Sequence, residues 1–322
     1  MPMVLRETDG SYQTRGGEGN RLDDPAIRPV WERPPLKLSN YSLNYSDRIA
    51  RGEMTVFRFL GLCRELGLEG ASLHVRDLPD TRSETLARVR RAYLENGLSV
   101  AMVTASTDFG RSDHRREDEL NQVREAIRIA TFLGAPLLRV FAGSAAGPVA
   151  RSTAWARAVD GVRHACEEAA QAGLPIGLQN HNHGGLCGTG ADLLRFVEEV
   201  KHPNLTVVLD CGQFVGSAGA GGGAAARVSQ ADLMRSIQQT APLARHVRVK
   251  FYRPRPDGSE PDIPYDRVLD ILHGVHYPGF LDIVYEPARP GGEDVRTALP
   301  RIVGFLRSLL RANPPGLPLD RR

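Results

Sequence analysis

Residues 175–213 read PIGLQNHNHGGLCGTGADLLRFVEEVKHPNLTVVLDCGQ and contain two short apolar runs separated by a polar loop and a helical stretch. The apolar runs, Pro175–Asn180 and Leu205–Leu209, have the length of buried strands. Between them, Thr189–Glu199 carries apolar residues near helical spacing, and Thr189 can cap its first turn. A strand, a helix and a second strand in this order predict a β-α-β unit with parallel strands.

The same alternation extends outward through most of the chain. Strands are expected at Leu36–Leu43, Gly70–Val75, Ser99–Thr104, Pro136–Phe141, Pro175–Asn180, Leu205–Leu209, His246–Phe251 and Phe280–Tyr285. Helices are expected at Thr81–Glu95, Glu117–Phe132, Thr153–Ala172, Thr189–Glu199, Gln230–Ala241, Asp266–His273 and Val295–Arg311. Eight strands that alternate with helices predict a (β/α)8 TIM barrel, an α/β fold whose active site lies at the carboxyl ends of the strands.

An open, doubly wound α/β sheet is the alternative architecture. Its dinucleotide-binding form carries GxGxxG after the first strand, and no such motif follows Leu36–Leu43, so we expect no nucleotide cofactor. The segments outside the alternation are rich in glycine, proline or arginine. They divide the chain into a flexible N-terminal arm at 1–35, the barrel at 36–312 and a C-terminal tail at 313–322.

The composition is that of an ordinary globular protein. The 322 residues are 41% hydrophobic and 25% charged, with 41 basic and 38 acidic residues. This balance argues against a nucleic-acid partner, and the lack of a long apolar run argues against a membrane span. The four cysteines form no CxxC pair, which is typical of reduced thiols, and the N-terminus lacks an apolar signal segment. We therefore expect a cytoplasmic protein.

Polar side chains gather at the carboxyl ends of the four late predicted strands. In the seventh strand His246, Arg248 and Lys250 share one face, and three apolar residues share the other. Because the apolar face must meet the helices, the polar face points into the barrel. Because alternate residues of a strand face the same side, the same argument places further polar residues of the neighbouring strands inside the barrel. The predicted upper interior holds Asp210, Glu286, Arg248, Lys250, Gln179 and His181.

Two interpretations of this mixed ring of charge are open. Buried charges are costly unless they are paired or bound to a ligand, so the ring is a candidate binding site. Alternatively, the carboxylates and cations pair with one another as a structural network, and the histidines His181 and His183 bond to loop backbone.

Further candidates for substrate contact come from strand ends and the loops that follow them. They are His74, Arg139, His183, Gln213, His246 and Arg255. Arg139 fits an inward position and a helix-facing salt bridge equally well, and His246 lies deep enough to pair with Asp282 instead. The glycine-rich loop Gly216–Ala226 is expected to lie near the site.

Four motifs carry a family resemblance. They are LQNH at 178–181 with the glycine pair at 184–185, LDCGQ at 209–213, HVRVK at 246–250 and YEP at 285–287. In their order and spacing, over roughly Leu36 to Leu310, the chain resembles the xylose-isomerase-like barrels labelled sugar phosphate isomerase/epimerase. The resemblance implies a TIM barrel that acts on a small-molecule substrate. It also allows a homo-oligomer, because relatives with this fold are frequently dimers or tetramers.

The resemblance further implies a divalent metal, Mn²⁺, Mg²⁺ or Zn²⁺, held by Glu, Asp, His and Glu from strands five to eight. Asp210 and Glu286 match the second and fourth ligands. At the first position, where the family has Glu, this chain has Gln179, or His181 if the alignment is counted backwards from the glycine pair at 184–185. At the third position, where the family has His, this chain has Arg248. A guanidinium has no lone pair for a metal. Either Arg248 turns aside and His181 joins Asp210, Glu286 and Gln179, or Arg248 occupies the place of the cation.

The resemblance and the strand-end residues predict an isomerase or epimerase of a small sugar, polyol or hydroxy-ketone. Proton abstraction next to a carbonyl gives an enediolate, and it requires a carboxylate base and positive charge beside the oxyanion. Glu286 is the predicted base, Lys250, Arg248 or a metal stabilises the oxyanion, and His181 is a further catalytic candidate. A lyase or dehydratase that uses the same carbanion is one alternative. A non-catalytic sugar-binding protein that has lost the metal set is the other.

Overall fold

A computed structural model describes residues 36–111, 116–145, 150–182, 184–215, 217, 229–287 and 292–313. The predicted N-terminal arm at 1–35, the tail after residue 313 and most of the loop at 216–226 lie outside these residues. His183 also lies outside them, so its predicted contact with a substrate stays a prediction.

Eight parallel strands form the sheet. They are β1 Lys37–Tyr41, β2 Gly70–His74, β3 Ser99–Thr104, β4 Leu138–Val140, β5 Ile176–Gln179, β6 Leu205–Asp210, β7 Ala244–Phe251 and β8 Phe280–Tyr285. Each strand pairs with its neighbours in sequence, and β1 also pairs with β8, with Leu38 opposite Leu281. The sheet is a closed barrel in sequence order, which confirms the predicted (β/α)8 fold.

Helices alternate with the strands. They are α1 Ser46–Ala50, α2 Val56–Glu65, α3 Ser83–Glu95, α4 Arg116–Leu133, α5 Arg151–Gln171, α6 Gly190–Val200, α7 Gln230–Thr240, α8 Tyr265–Gly274 and α9 Val295–Ala312. Thr189 caps α6 as predicted, because its hydroxyl accepts a hydrogen bond from the backbone N–H of Asp192 at 3.0 Å. Among the described segments, we find no helix long and apolar enough to cross a membrane.

The bounds of several elements differ from the sequence prediction. The short α1 and the helix α2 are not among the ranges predicted above, and β1 ends at Tyr41, before the predicted Leu43, because Ser42–Tyr45 forms a 3-10 helix. β4 pairs at Leu138–Val140 and not over the whole of Pro136–Phe141. Pro136 has no N–H to donate to a sheet ladder, so the strand begins after it.

The apolar core lies mainly between the sheet and the surrounding helices. It includes Phe59, Leu86, Ile129, Phe196, Val247 and Ile302, all almost fully buried. Inward-facing Met102, Leu137 and Val208 form a separate, small apolar cluster. Much of the remaining interior is polar, and Ser39 Oγ donates to Asp282 Oδ1 at 2.6 Å. The barrel is therefore held by an apolar layer outside its sheet, which leaves polar groups free to line its interior.

Candidate active site

A cavity of about 570 Å³ opens at the carboxyl ends of the strands, where barrels of this kind bind substrates. Strand ends form its floor, and the loops and α1 form its rim. Its lining includes Tyr41, His74, Arg139, Phe141, Gln179, His181, Gln213, Arg248, Lys250 and Glu286. The structure thus brings together most of the site residues that the sequence predicts.

Asp210, the last residue of β6, has no exposed surface and lies behind three residues that line the cavity, Gln179, Arg248 and Lys250. Its Oδ1 accepts a hydrogen bond from Gly212 N at 3.0 Å, and its Oδ2 accepts one from Gln179 Nε2 at 3.0 Å. Arg248 Nη1 lies 3.2 Å from Oδ2, and Lys250 Nζ lies 3.7 Å from it. Strand register explains the convergence, because Asp210 pairs directly with Arg248 on β7. The carboxylate is therefore fully engaged by donors.

Arg248 is 2% exposed and stands between β5 and β6 side chains. Its Nη1 donates to Gln179 Oε1 at 2.7 Å and faces Asp210 Oδ2. Its guanidinium carbon lies 4.6 Å from the centroid of the Tyr41 ring, so the ring supports the cation through a cation–π contact. Nε and Nη2 find no acceptor among the described residues. Arg248 is thus oriented by one nitrogen and keeps two buried donors unused.

Glu286 follows β8 and is the exposed carboxylate of this group. Its side chain is 42% exposed, and its Oε2 accepts a hydrogen bond from Lys250 Nζ at 2.8 Å. Lys250 itself is 1% exposed, and its ammonium also lies 5.8 Å from the centre of the Tyr252 ring. The backbone N–H of Glu286 donates to Phe251 O at 2.9 Å, which fixes the residue at the rim of the floor. A half-exposed carboxylate therefore lies beside a buried cation.

Arg139 lies on β4 and points into the barrel, which decides between the two positions that the sequence left open. It donates to Ala105 O at 2.8 Å and to Tyr41 Oη at 2.9 Å. Its guanidinium carbon lies 4.1 Å from the centroid of the Phe141 ring. Tyr41 Oη lies 2.6 Å from Thr104 Oγ1, which anchors the phenol. Burial lowers the pKa of Arg139 to about 10, and the group stays charged at neutral pH.

His74 ends β2 and is 3% exposed. Its Nδ1 accepts a hydrogen bond from Arg76 N at 3.1 Å, and its Nε2 lies 2.9 Å from Ser106 Oγ. Burial and the nearby cations, Arg139 first among them, lower the pKa of His74 to about 2. The imidazole is therefore neutral at physiological pH and serves as a hydrogen-bonding group rather than a charge.

His181 and Gln213 lie on the loops that follow β5 and β6. The His181 ring packs against Phe141 with 4.7 Å between centroids, and its backbone N–H donates to Cys187 O at 3.1 Å. Gln213 is 4% exposed, and its Oε1 finds no donor among the described residues. Both side chains line the cavity, where a substrate hydroxyl can reach them.

Two predicted substrate contacts lie away from this cavity. His246 is 1% exposed and lies deeper in the barrel, with its Nε2 3.4 Å from Asp282 Oδ2. Arg255 is exposed on the loop after β7, and its backbone N–H donates to Ser259 O at 2.8 Å. Neither residue is in the cavity lining. His246 faces Asp282 deeper in the barrel, and the side chain of Arg255 is exposed to solvent.

The described residues do not fit a divalent metal. Gln179 Oε1 accepts from Arg248, and both oxygens of Asp210 accept from N–H groups. The guanidinium thus contacts both of the side chains that would share a cation, these two side chains also bond directly to each other, and a guanidinium repels metal ions. Within the described ranges, no three His, Cys, Asp or Glu side chains group as metal ligands, so His181 does not complete a set with Asp210 and Glu286.

Several lining residues escaped the sequence analysis, among them Tyr41, Arg76, Ser106 and Phe141. Tyr41 was detectable, because it shares the inward face of β1 with Ser39 two residues earlier. The other three, Arg76, Ser106 and Phe141, follow the ends of strands, where side chains no longer alternate between the two faces of the sheet. Their proximity to the site depends on loop geometry that the sequence pattern does not encode.

Comparisons with known proteins agree with this architecture. A family model described as xylose isomerase-like TIM barrel matches residues 60–309. Similar structures include an L-ribulose 3-epimerase, 17% identical, with a TM-score of 0.70 and coverage of 86% of this chain and 95% of that one. A 3-keto-D-glucoside 4-epimerase from E. coli is 17% identical, with a TM-score of 0.66 and coverage of 85% of this chain and 99% of that one.

A third similar structure is a probable 3-DHS dehydratase from Bacillus anthracis. It is 19% identical, with a TM-score of 0.64 and coverage of 84% of this chain and 99% of that one. At such identities the likeness to these three structures shows the fold alone. No curated protein matches the sequence.

Proposed function

Because the chain belongs to the xylose isomerase-like TIM barrel family, we propose that it is an isomerase or epimerase of a small sugar, polyol or hydroxy-ketone. Two similar structures are sugar epimerases, an L-ribulose 3-epimerase and a 3-keto-D-glucoside 4-epimerase, which supports the proposal by analogy. The cavity of about 570 Å³ has the size expected of a small-molecule site.

One observation carries the proposal. Glu286 Oε2 and Lys250 Nζ lie 2.8 Å apart at the cavity, so a carboxylate and a cation act on the same small volume. Removal of a proton next to a carbonyl requires this pair, a base for the proton and a positive charge for the oxygen. The Glu286 side chain is 42% exposed and lines the cavity, so a ligand there can contact its carboxylate.

In the proposed mechanism, Glu286 removes the proton from the carbon next to the substrate carbonyl. The electron pair of the broken C–H bond moves to the carbonyl oxygen and gives an enediolate. Lys250, held in place by Asp210, stabilises the new oxyanion, and Arg248 contributes a second positive charge. For the isomer, the hydroxyl proton of the enediolate moves to the former carbonyl oxygen and Glu286 returns its proton to the neighbouring carbon. For the epimer, Glu286 keeps the proton and a second donor, for which we propose His181, protonates the opposite face of the original carbon.

The proposed mechanism contains no step through a metal ion. Arg248 contacts both Asp210 and Gln179, and among the described residues no group of three His, Cys, Asp or Glu side chains is arranged to hold a divalent cation. A fixed guanidinium supplies positive charge without any exchange of ligands. Its buried position keeps it from being solvated, so its field at the substrate oxygen is strong.

A dehydratase is the second candidate, since one similar structure is a probable 3-DHS dehydratase. Both activities start from the same carbanion, and they differ in whether the electron pair next takes up a proton or expels a hydroxyl group. The substrate decides between them, because expulsion requires a leaving group on the carbon next to the carbanion.

Solvent exchange tests the common step. The protein is incubated in D₂O with a panel of small ketoses and hydroxy-ketones, and proton NMR follows both loss of the proton next to the carbonyl and the identity of the product. We expect deuterium incorporation with at least one member, and none with the Glu286→Gln variant. Absence of exchange over the whole panel by folded wild-type protein would contradict the proposal and favour a binding protein.

We also propose a cytoplasmic location. All four cysteines are buried and free in the structure, which suits a reducing compartment.

A further inference from the structure

We propose that the substrate carries an anionic group, a carboxylate or a phosphate, and that Arg139 and Arg248 hold this group on the floor of the cavity. This inference rests on the function proposed above and adds the charge class of the substrate. It follows from an excess of buried positive charge that the protein itself leaves without compensation.

The floor contains more cations than carboxylates. Among the described residues, the floor has three cations, Arg139, Arg248 and Lys250, and one carboxylate, Glu286. Asp210, directly behind the floor, adds a second carboxylate. Lys250 contacts both carboxylates, and Arg248 contacts Asp210. No described carboxylate lies within ion-pair distance of Arg139, whose two bonded nitrogens donate to the neutral oxygens of Ala105 and Tyr41. One positive charge on the floor is therefore unmatched.

The free donors of the two arginines are buried. Arg248 Nε and Nη2, which form the side-on edge of its guanidinium, find no acceptor among the described residues, and neither does Arg139 Nε. Both residues are 2% exposed and line the cavity. A planar fork of N–H groups matches two oxygens of a carboxylate or phosphate. A neutral sugar hydroxyl satisfies one donor and leaves the charge uncompensated.

Charges at the rim do not supply the missing anion, because no described rim carboxylate, Asp47 included, lies within ion-pair distance of Arg139, and ion pairs with neighbours engage several of the others. These pairs are Arg48 with Asp294 at 2.6 Å, Arg51 with Glu53 at 2.6 Å and Glu293 with Arg301 at 2.6 Å. His74, neutral at physiological pH, adds no further charge to the floor. The two aromatic rings beneath the arginines, Tyr41 and Phe141, fix the planes of the guanidinium groups. Fixed donors reduce the ordering cost of binding.

Burial makes the imbalance energetically significant. A buried ion without a partner is unfavourable, and a ligand that supplies the opposite charge recovers that cost on binding. A charge-assisted hydrogen bond of this kind is worth roughly ten- to a hundredfold in affinity. We therefore expect an anionic ligand to bind at least about tenfold more tightly than a neutral ligand of the same carbon skeleton.

Calorimetric titration with three six-carbon ketoses tests the inference. The probes are D-fructose, 5-keto-D-gluconate and D-fructose 6-phosphate, which are neutral, carboxylated and phosphorylated. We expect one or both anionic ketoses to bind more tightly than D-fructose, and the better of the two identifies the anion. Inorganic phosphate should compete with the anionic ketose. Equal binding of the three, tighter binding of D-fructose, or no binding of either anion at millimolar concentration overturns the inference.

Variants locate the anion. Arg139→Gln should reduce the preference for the anionic ketose by about tenfold or more, and Arg139→Lys, which keeps the charge, should retain part of it. Arg235→Gln removes a cation from the exposed face of α7 and is the matched control, expected to bind like wild type. Full anion preference in folded Arg139→Gln would overturn the role of Arg139. If that variant does not fold, the wild-type titrations and phosphate competition decide.

Exchange in D₂O separates this inference from the proposed function. Anion preference without any exchange supports an anion site and contradicts the isomerase. Exchange of D-fructose as fast as of its anionic counterparts supports the isomerase and contradicts the anionic substrate.

Discussion

Lys250 Nζ lies 2.8 Å from Glu286 Oε2, so the proposed base of the reaction is held by the cation that would stabilise its product. Lys250 is buried and fixed by Asp210, whereas Glu286 is half-exposed. A substrate oxygen that reaches Lys250 must share the ammonium with Glu286. Its arrival therefore weakens the ion pair and frees the carboxylate to accept a proton.

Glu286→Gln should abolish most turnover and leave the fold intact. The amide keeps the shape of the side chain and cannot accept a proton, and general-base catalysis is typically worth about 10²–10⁴ in rate. The measurement is kcat for proton exchange, with circular dichroism as a check of folding. Glu65→Gln, an exposed carboxylate on α2, is the control and should keep wild-type activity. Unchanged exchange in Glu286→Gln would remove Glu286 from the mechanism.

Gly212→Ala should displace Lys250. A Cβ added at Gly212 would lie 2.7 Å from Lys250 Cβ and 2.9 Å from its Cγ, closer than packed atoms allow. We expect lower kcat together with a lower Tm, since overpacking typically costs about 1–3 kcal/mol. Gly304→Ala on α9 is the control, because nothing lies within 4 Å of its added Cβ. Normal activity and Tm in Gly212→Ala would mean that the lysine has more freedom than its packing indicates.

Arg248→His with Gln179→Glu should create a metal site. The two changes remove a cation, add a carboxylate and supply an imidazole lone pair beside Asp210. Titration calorimetry with Mn²⁺ should show binding to the double variant, and its Tm should rise with the metal. A control with the same charge change on exposed α7, Arg235→His with Gln238→Glu, should show neither effect. Tight Mn²⁺ binding by wild type, not improved by the changes, would mean that Arg248 turns aside in solution.

His74 should make the protein acid-sensitive. Its pKa is about 2 when folded and ordinarily 6.5, so between these values the unfolded chain binds one more proton. The free energy of unfolding therefore decreases as the pH is lowered through this range, by up to about 1.4 kcal/mol per pH unit for one proton. Urea titrations should show that the free energy of unfolding decreases less from pH 6 to pH 5 in His74→Asn than in wild type. The asparagine keeps an acceptor for the backbone N–H of Arg76. Equal losses in both proteins would mean that His74 is protonated when folded.

Strand periodicity was sufficient to predict the barrel and much of its floor. Alternation along β7 placed Arg248 and Lys250 inside, and the end of β6 placed Asp210 beside them. The same reasoning could not predict which partner Arg248 selects, because a long side chain reaches several neighbours from one backbone position. It also could not resolve Arg139, whose inward position depends on a bond to Tyr41 from a strand far away in sequence.

The apolar layer outside the sheet has a consequence for protein engineering. Because that layer contains most of the apolar core, substitutions among the polar residues inside the barrel leave the packing of sheet against helices largely unchanged. The chain is therefore a suitable scaffold for new binding sites, since its interior can be varied separately from the contacts that stabilise the fold.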